Sequence, residues 1–228
     1  MEIIQMPSGD NMANYSYIIA GKGDKVLCVD PWDGEVIHNF LMKKGLALEG
    51  IVNTHLHFDH TRGNAVLCRL TGAVIHSKES LMELGSVAMG EGASIEFLEA
   101  PGHTMDHIAV LLKENGVTTG LISGDTIFNF GVGNCKNGGN VAVLFETVNK
   151  LNAILPHDAT LYPGHDYMAT NLGFSMTNGV KKAGEILDKL DKDGPFNTTM
   201  GLEREINPFL RTDSLEEFRR LRALRDEW

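Results

Sequence analysis

The sequence predicts an α/β fold followed by a helical region at the C-terminal end. Three observations carry that reading. Short apolar or alternating runs and helix-periodic segments succeed one another through about the first 165 residues. Past residue 166 no strand pattern continues and the chain reads as helices. The composition, 43% hydrophobic and 22% charged over 228 residues, is that of a globular chain and not of a disordered one. A chain of this length buries roughly 70% of its unfolded surface, so a core forms without disulfides.

The elements follow in order. EIIQM, YSYIIA and KVLCVD are brief strand-like runs separated by the turn compositions SGDN and GKGD. Residues 34–44 have helical character, with Gly45 as a stop signal. GIVNT reads as a buried strand that runs into His55, AVLCRL as helix, and AVIH, SIEFLEA, HIAVLLK and LISGD as strands. VAVLFETVNKLNAI places Val141, Leu144, Val148 and Leu151 at helical spacing, and ATLYPG returns to strand. MATNLGFSMTNGVKKAGEILDKL and SLEEFRRLRALRDEW read as helices, the second capped by Ser214 or Asp213, with DKDGPFN a loop between them. Residues 1–165 are thus expected to form an α/β body and residues 166–228 a helical region.

A net charge of −10, from 20 Lys+Arg against 30 Asp+Glu, argues against generic nucleic-acid binding and against docking on anionic membrane. Cys28, Cys68 and Cys135 are odd in number and include no CxxC pair, so neither a disulfide framework nor a Cys-rich zinc site is expected. No leader pattern and no run of about 18 apolar residues is apparent, which makes the cytoplasm the expected compartment.

Chemistry concentrates at Thr54-His55-Leu56-His57-Phe58-Asp59-His60, directly after a predicted buried strand. Imidazoles and carboxylates at this density are the donors that zinc, iron and manganese accept. Three later segments each present one further donor after a glycine: Pro101-Gly102-His103-Thr104, Ser123-Gly124-Asp125-Thr126 and Pro163-Gly164-His165-Asp166. A lone histidine is more often a satisfied core residue; His107 is read as a core or supporting residue, and His38, His76 and His157 as surface or structural. The four segments together supply seven candidate ligands, enough for two ions.

The order HxHxDH, GHT, GD, GH resembles the metallo-β-lactamase superfamily and, within it, the hydroxyacylglutathione hydrolase (glyoxalase II) family. THLHFDHTRGN, SGDTIF, PGHDYMATNLGF, INPFLR and the closing FRRLRALRDEW carry the likeness along nearly the whole chain. The resemblance implies an αββα sandwich with two divalent metal ions, zinc first among zinc, iron and manganese. It implies that His55, His57 and His103 hold one ion, that Asp59, His60 and His165 hold the other, and that Asp125 bridges them. Two such ions can lower the pKa of a shared water from about 15.7 towards about 7. Asp59 is then expected to orient the attacking hydroxide. No separate general acid is evident, which suits a thioester, because a thiol of pKa ~8.5 departs as thiolate.

Six of the eight arginines lie in the last 25 residues: Arg204, Arg211, Arg219, Arg220, Arg222 and Arg225. Some are expected to pair with Glu203, Glu205, Glu216 and Glu217 on solvated helix faces. The resemblance assigns Arg222, Arg225 and Tyr167 to the binding of glutathione, whose carboxylates suit guanidinium forks. The family usually carries a basic residue where this chain has Asn134, and Lys136 is the nearby substitute. The expected reaction is hydrolysis of S-2-hydroxyacylglutathione. Alternatives are a mononuclear iron persulfide dioxygenase using His55, His103 and Asp125, a hydrolase of another ester or lactone, or a non-catalytic metal-stabilised binding protein.

Overall fold

The computed structural model of the chain describes residues 1–22, 25–190 and 197–228, so most of the expected loop at 191–197 and half of the GKGD turn lie outside the described residues. The described residues form two compact units, Met1–Glu99 with Ile108–Thr118, and Ala100–His107 with Thr119–Trp228.

In the first unit, β1 (Glu2–Pro7), β2 (Tyr15–Ala20), β3 (Val26–Val29), β4 (Gly50–Val52) and β5 (Val74–Ile75) form one sheet in chain order. The first three strands pair antiparallel, and β3, β4 and β5 pair parallel. β3 is buried along its whole length, as an interior strand covered on both faces should be. Helix α1 (Gly34–Lys44) matches the expected span. Asp33 caps it by accepting from the amides of Glu35 and Val36 at 2.9 and 3.0 Å, an arrangement worth about 1 kcal/mol. Gly45, at φ 66°, closes the helix in the left-handed region. Ile37 and Leu41 of α1 and Leu67 of α3 (Asn64–Thr71) pack on Ile18, Cys28 and Ile51 of the sheet. Truncating a side chain as buried as Ile37 to alanine costs about 2–5 kcal/mol. A short helix α2 (Phe58–Thr61), not expected from the sequence, lies between β4 and α3. After α4 (Lys78–Leu84), strands β6 (Ser86–Ala88), β7 (Ala93–Glu99) and β8 (Ile108–Glu114) form an antiparallel meander.

The second unit takes most of β9 (Val117–Gly124), then β10 (Ile127–Phe128) and β11 (Gly131–Val132), a short antiparallel pair. Helix α5 (Val141–Ile154) follows as expected, and β12 (Thr160–Pro163) pairs parallel with β9. The expectation of one helix over 168–190 is corrected to two, α6 (Met168–Thr177) and α7 (Lys181–Leu187), because Gly179 turns the chain at φ 83°. The expectation of no strand beyond 166 is also corrected: β13 (Thr198–Thr199) pairs antiparallel with Thr160–Leu161. Two residues are too few to show a period. Helix α8 (Met200–Ile206), a 3-10 turn (Pro208–Arg211) and α9 (Leu215–Glu227) complete the unit, and Ser214 caps α9.

Glu203 on α8, read from the sequence as a surface charge partner, is instead fully buried. Its carboxyl group accepts from the amide of Phe130 at 2.8 Å, from Asn207 Nδ2 at 3.1 Å and from the Thr198 hydroxyl. These bonds hold Phe130 at φ 60°, a conformation that a bulky residue adopts only when its surroundings enforce it. Burial pushes the Glu203 pKa up to about 7 from 4.5, although the three donors work in the opposite direction. Between those two values the folded state holds a proton that the unfolded chain has released. The contribution of Glu203 is therefore complete below about pH 4.5 and is lost as pH rises through about 7. Urea midpoints measured across this range should fall with pH more steeply in the parent protein than in Glu203→Gln; parallel midpoints would contradict the assignment.

Candidate metal centre

In the first unit the chain leaves β4 through Asn53 and Thr54 and presents His55, His57, Asp59 and His60 within one loop and the first turns of α2. The residue that organises them is Asp30, at the end of the neighbouring strand β3. It sits at φ 50°, which an aspartate tolerates better than most residues. Its carboxylate accepts from the Thr54 amide at 2.7 Å, the Thr54 hydroxyl at 2.6 Å and His60 Nδ1 at 2.9 Å. Since Thr54 gives its proton to Asp30, its oxygen accepts from His55 Nδ1 at 3.0 Å. Both histidines thus carry their proton on Nδ1 and present Nε2 as a lone pair. His55 Nε2 meets His57 Nδ1 at 2.9 Å, and His60 Nε2 lies 3.4 Å from Asp59 Oδ2.

The second unit repeats the device. His103 Nδ1 donates to the Asn134 carbonyl at 2.6 Å, which leaves Nε2 as a lone pair 3.5 Å from Asp125 Oδ2. His165 Nε2 lies 3.3 Å from the same oxygen, and its ring stacks on Tyr167 with centroids 4.8 Å apart. His107, read from the sequence as a core or supporting residue, accepts from the Asp125 amide at 3.0 Å and meets the Thr126 hydroxyl at 3.2 Å. It holds the backbone that carries Asp125. Gly133 packs so closely here that a Cβ would stand 1.9 Å from the Asp125 carbonyl oxygen, which excludes every other residue.

An imidazole lone pair and a carboxylate oxygen at 3.4–3.5 Å, as at His60 and His103, repel unless positive charge lies between them. Histidines whose Nδ1 is tied to a carboxylate, hydroxyl or backbone carbonyl are in the state that metal ligation requires. The donors are nitrogen and oxygen without thiolate, a set suited to zinc, iron or manganese. On this chemistry the residues fit divalent metal ions.

Beside His165 lies a cavity of about 350 Å³ lined by Phe128, Asn134, Lys136, Tyr167, Arg222 and Arg225 among others. The Arg222 guanidinium is committed, donating to the Val132 carbonyl at 2.7 Å and to Asp226 Oδ1 at 2.9 Å. Burial lowers its pKa from the ordinary value, and Asp226 offsets part of that. Arg225 leans on Asn171 Oδ1 at 3.2 Å and lies 5.7 Å from the Trp228 ring. Lys136 reaches the Asp226 backbone carbonyl at 3.2 Å and stays largely exposed. Of the other tail arginines, Arg204 is tied to Asn152 and Leu155, and Arg220 pairs with Glu217 as expected for a helix face. Asp30, the Asn134 carbonyl and Asn171 were not found by sequence reasoning. Only Asp30 left a signal there, an acid ending a buried strand.

A family model for the metallo-beta-lactamase superfamily matches residues 9–86. A hydroxyacylglutathione hydrolase of Nitrosococcus oceani is 34% identical over 231 residues, covering 94% of this chain and 87% of its own. The hydroxyacylglutathione hydrolase of a Polaromonas species is 37% identical over 234 residues, covering 94% and 88%. Among solved structures, ETHE1 from Myxococcus xanthus matches with a TM-score of 0.71 over 98% of this chain and 90% of that one, at 23% identity, a likeness of fold. The fold is that of the metallo-β-lactamase superfamily, as expected. Within it, the chain belongs to the hydroxyacylglutathione hydrolase family and is a metal-dependent hydrolase. Its histidine and aspartate groups fit a dinuclear metal centre.

If Asp30 orients His60 as described, Asp30→Asn, which keeps the backbone conformation but loses the charge, should weaken metal retention about 10–100-fold. Metal content after chelator dialysis checks this. Retention equal to the parent protein would remove Asp30 from the centre.

Proposed function

We infer that the protein hydrolyses thioesters of glutathione, S-2-hydroxyacylglutathione foremost, to a 2-hydroxy acid and the free thiol. In this reading His55, His57 and His103 hold one divalent ion, Asp59, His60 and His165 the other, and Asp125 serves both. Zinc is the first choice, with iron and manganese compatible with the same donors. Bound there, the ions would supply acidified water and polarise the thioester carbonyl. Asp59 orients the attacking water and accepts its hydrogen bond. Asp30 and Thr54 keep His60 and His55 in the tautomers that expose Nε2, while Asn134 does so for His103. The leaving thiol, with pKa ~8.5, departs as thiolate, so the chain needs no acid to protonate it.

The observation that carries the substrate assignment is the cavity beside His165, whose wall Tyr167 stacks on that ligand and whose cations exceed its single acid. Arg225 and Lys136 would take a carboxylate of the glutathione moiety; Arg222, already bonded to Val132 and Asp226, would shape the cavity and lend its charge. A net charge of −10 for the whole chain suits a small anion and no polyanion. Three free cysteines suit a reducing compartment such as the cytoplasm. Among the described residues no helix is long and apolar enough to cross a membrane.

The test is a thioester panel with and without the glutathione moiety, run on protein whose metals have been counted. S-lactoylglutathione should be turned over far better than a simple acyl thioester, and Asp59→Ala should abolish both reactions. Arg225→Ala should raise KM for the glutathione thioester about tenfold or more, as loss of a charge-assisted hydrogen bond does, and leave the simple thioester unchanged. Full activity in Asp59→Ala would sink the dinuclear mechanism. Oxygen uptake with glutathione persulfide in place of thioester hydrolysis would replace the hydrolase by a dioxygenase.

A further inference from the structure

The loop between β1 and β2, residues 8–14, touches the metal-ligand helix at two points one turn apart. Asn14 Nδ2 donates to Asp59 Oδ2 at 2.9 Å. Arg62, which ends the same short helix, donates through Nη2 to Asp10 Oδ2 at 2.7 Å. Between these contacts the loop is closed on itself. Asp10 accepts from the Ser8 hydroxyl at 2.7 Å and the Met12 amide at 3.1 Å, and the Ser8 amide donates to the Asn14 carbonyl at 2.8 Å. Ala13 is held at φ 54°, an unusual conformation for alanine, immediately before Asn14.

Asn14 is only 1% exposed, and its Oδ1 is buried with no hydrogen-bond partner among the described residues. A buried unsatisfied carbonyl costs about 1–3 kcal/mol. Turning the amide over would not help, because Oδ1 would then face the Asp59 carboxylate, acceptor against acceptor. For stability alone, an apolar residue of the same size would serve at least as well. What an asparagine adds at this position is one N–H aimed at Asp59.

Helix α2 has only four residues and no side-chain cap, so its own backbone does little to fix the Asp59 carboxylate. We propose that Asn14 is a positioning residue: its amide sets the rotation of Asp59 towards the second metal ion, and the Asp10–Arg62 pair keeps the loop in place to do so. This rests on the reading of Asp59 as a metal ligand.

The experiment compares the parent protein with Asn14→Leu, which keeps the volume and removes the N–H, and with Asn14→Ala as a second variant. Metal-free protein is titrated with cobalt(II), followed by its visible absorption and by chelator competition, and kcat and KM for S-lactoylglutathione are measured alongside thermal midpoints. The parent protein should bind two ions. In both variants the first ion should bind as in the parent, and the second should weaken about 10–100-fold. At limiting metal, kcat should fall with it while KM stays within about twofold, since the cavity is untouched. The thermal midpoint of metal-free Asn14→Leu should equal or exceed that of the parent. Parent-like affinity for the second ion and parent-like kcat would overturn the proposal. So would equal loss of both ions with a lowered midpoint, which marks a packing defect. A parent protein that binds no second ion overturns the functional reading itself, and is recognised before any variant is compared.

Discussion

The imidazole lone pairs of His60 and His103 are held against carboxylate oxygens, one in each unit of this protein, and without a cation between them they repel. Such an arrangement persists only if the ligands have no easier orientation available. The Nδ1 partners remove that freedom: Asp30 for His60, Thr54 for His55 and the Asn134 carbonyl for His103. Asp30 is itself fixed by its position at the end of β3, and Thr54 by its two bonds to Asp30. The core beneath, Ile37, Leu41 and Leu67 against Ile18, Cys28 and Ile51, keeps β3 and β4 side by side so that the two strand ends can cooperate.

Periodicity and turn chemistry exposed most of the fold in the sequence. Helix α1 was legible because Gly45 supplies a stop signal at the end of a stretch with helical character. β13 and α2 were not, because two and four residues are shorter than any period they could display. The candidate ligands were legible because an unusual density of histidine cannot be explained by packing. The partners that orient them were hidden for the opposite reason. An aspartate, an asparagine or a backbone carbonyl is an ordinary feature until tertiary structure aims it. Asp30 stands 30 residues before His60, and Asn14 stands 45 before Asp59, so no local pattern joins either pair.

The acidic balance of the chain and its basic tail are reconciled by the way the arginines are used. Arg204 is committed to backbone and amide oxygens at the end of α5 and Arg220 to a neighbouring glutamate, so neither adds to the field of the cavity. Arg222 and Arg225 remain near it, joined by Lys136 and opposed by Asp226. Counting arginines overstated the anchor; following their bonds reduces it to a small, partly neutralised patch.

Residues 132–134 form a strip of backbone with two clients. The carbonyls of Val132 and Gly133 accept from Arg222 in the cavity wall, and the carbonyl of Asn134 accepts from His103. Gly133 in the middle lies against the Asp125 backbone with no room to yield. A shift of Arg222 in the cavity wall would therefore reach the His103 imidazole through three consecutive peptide units.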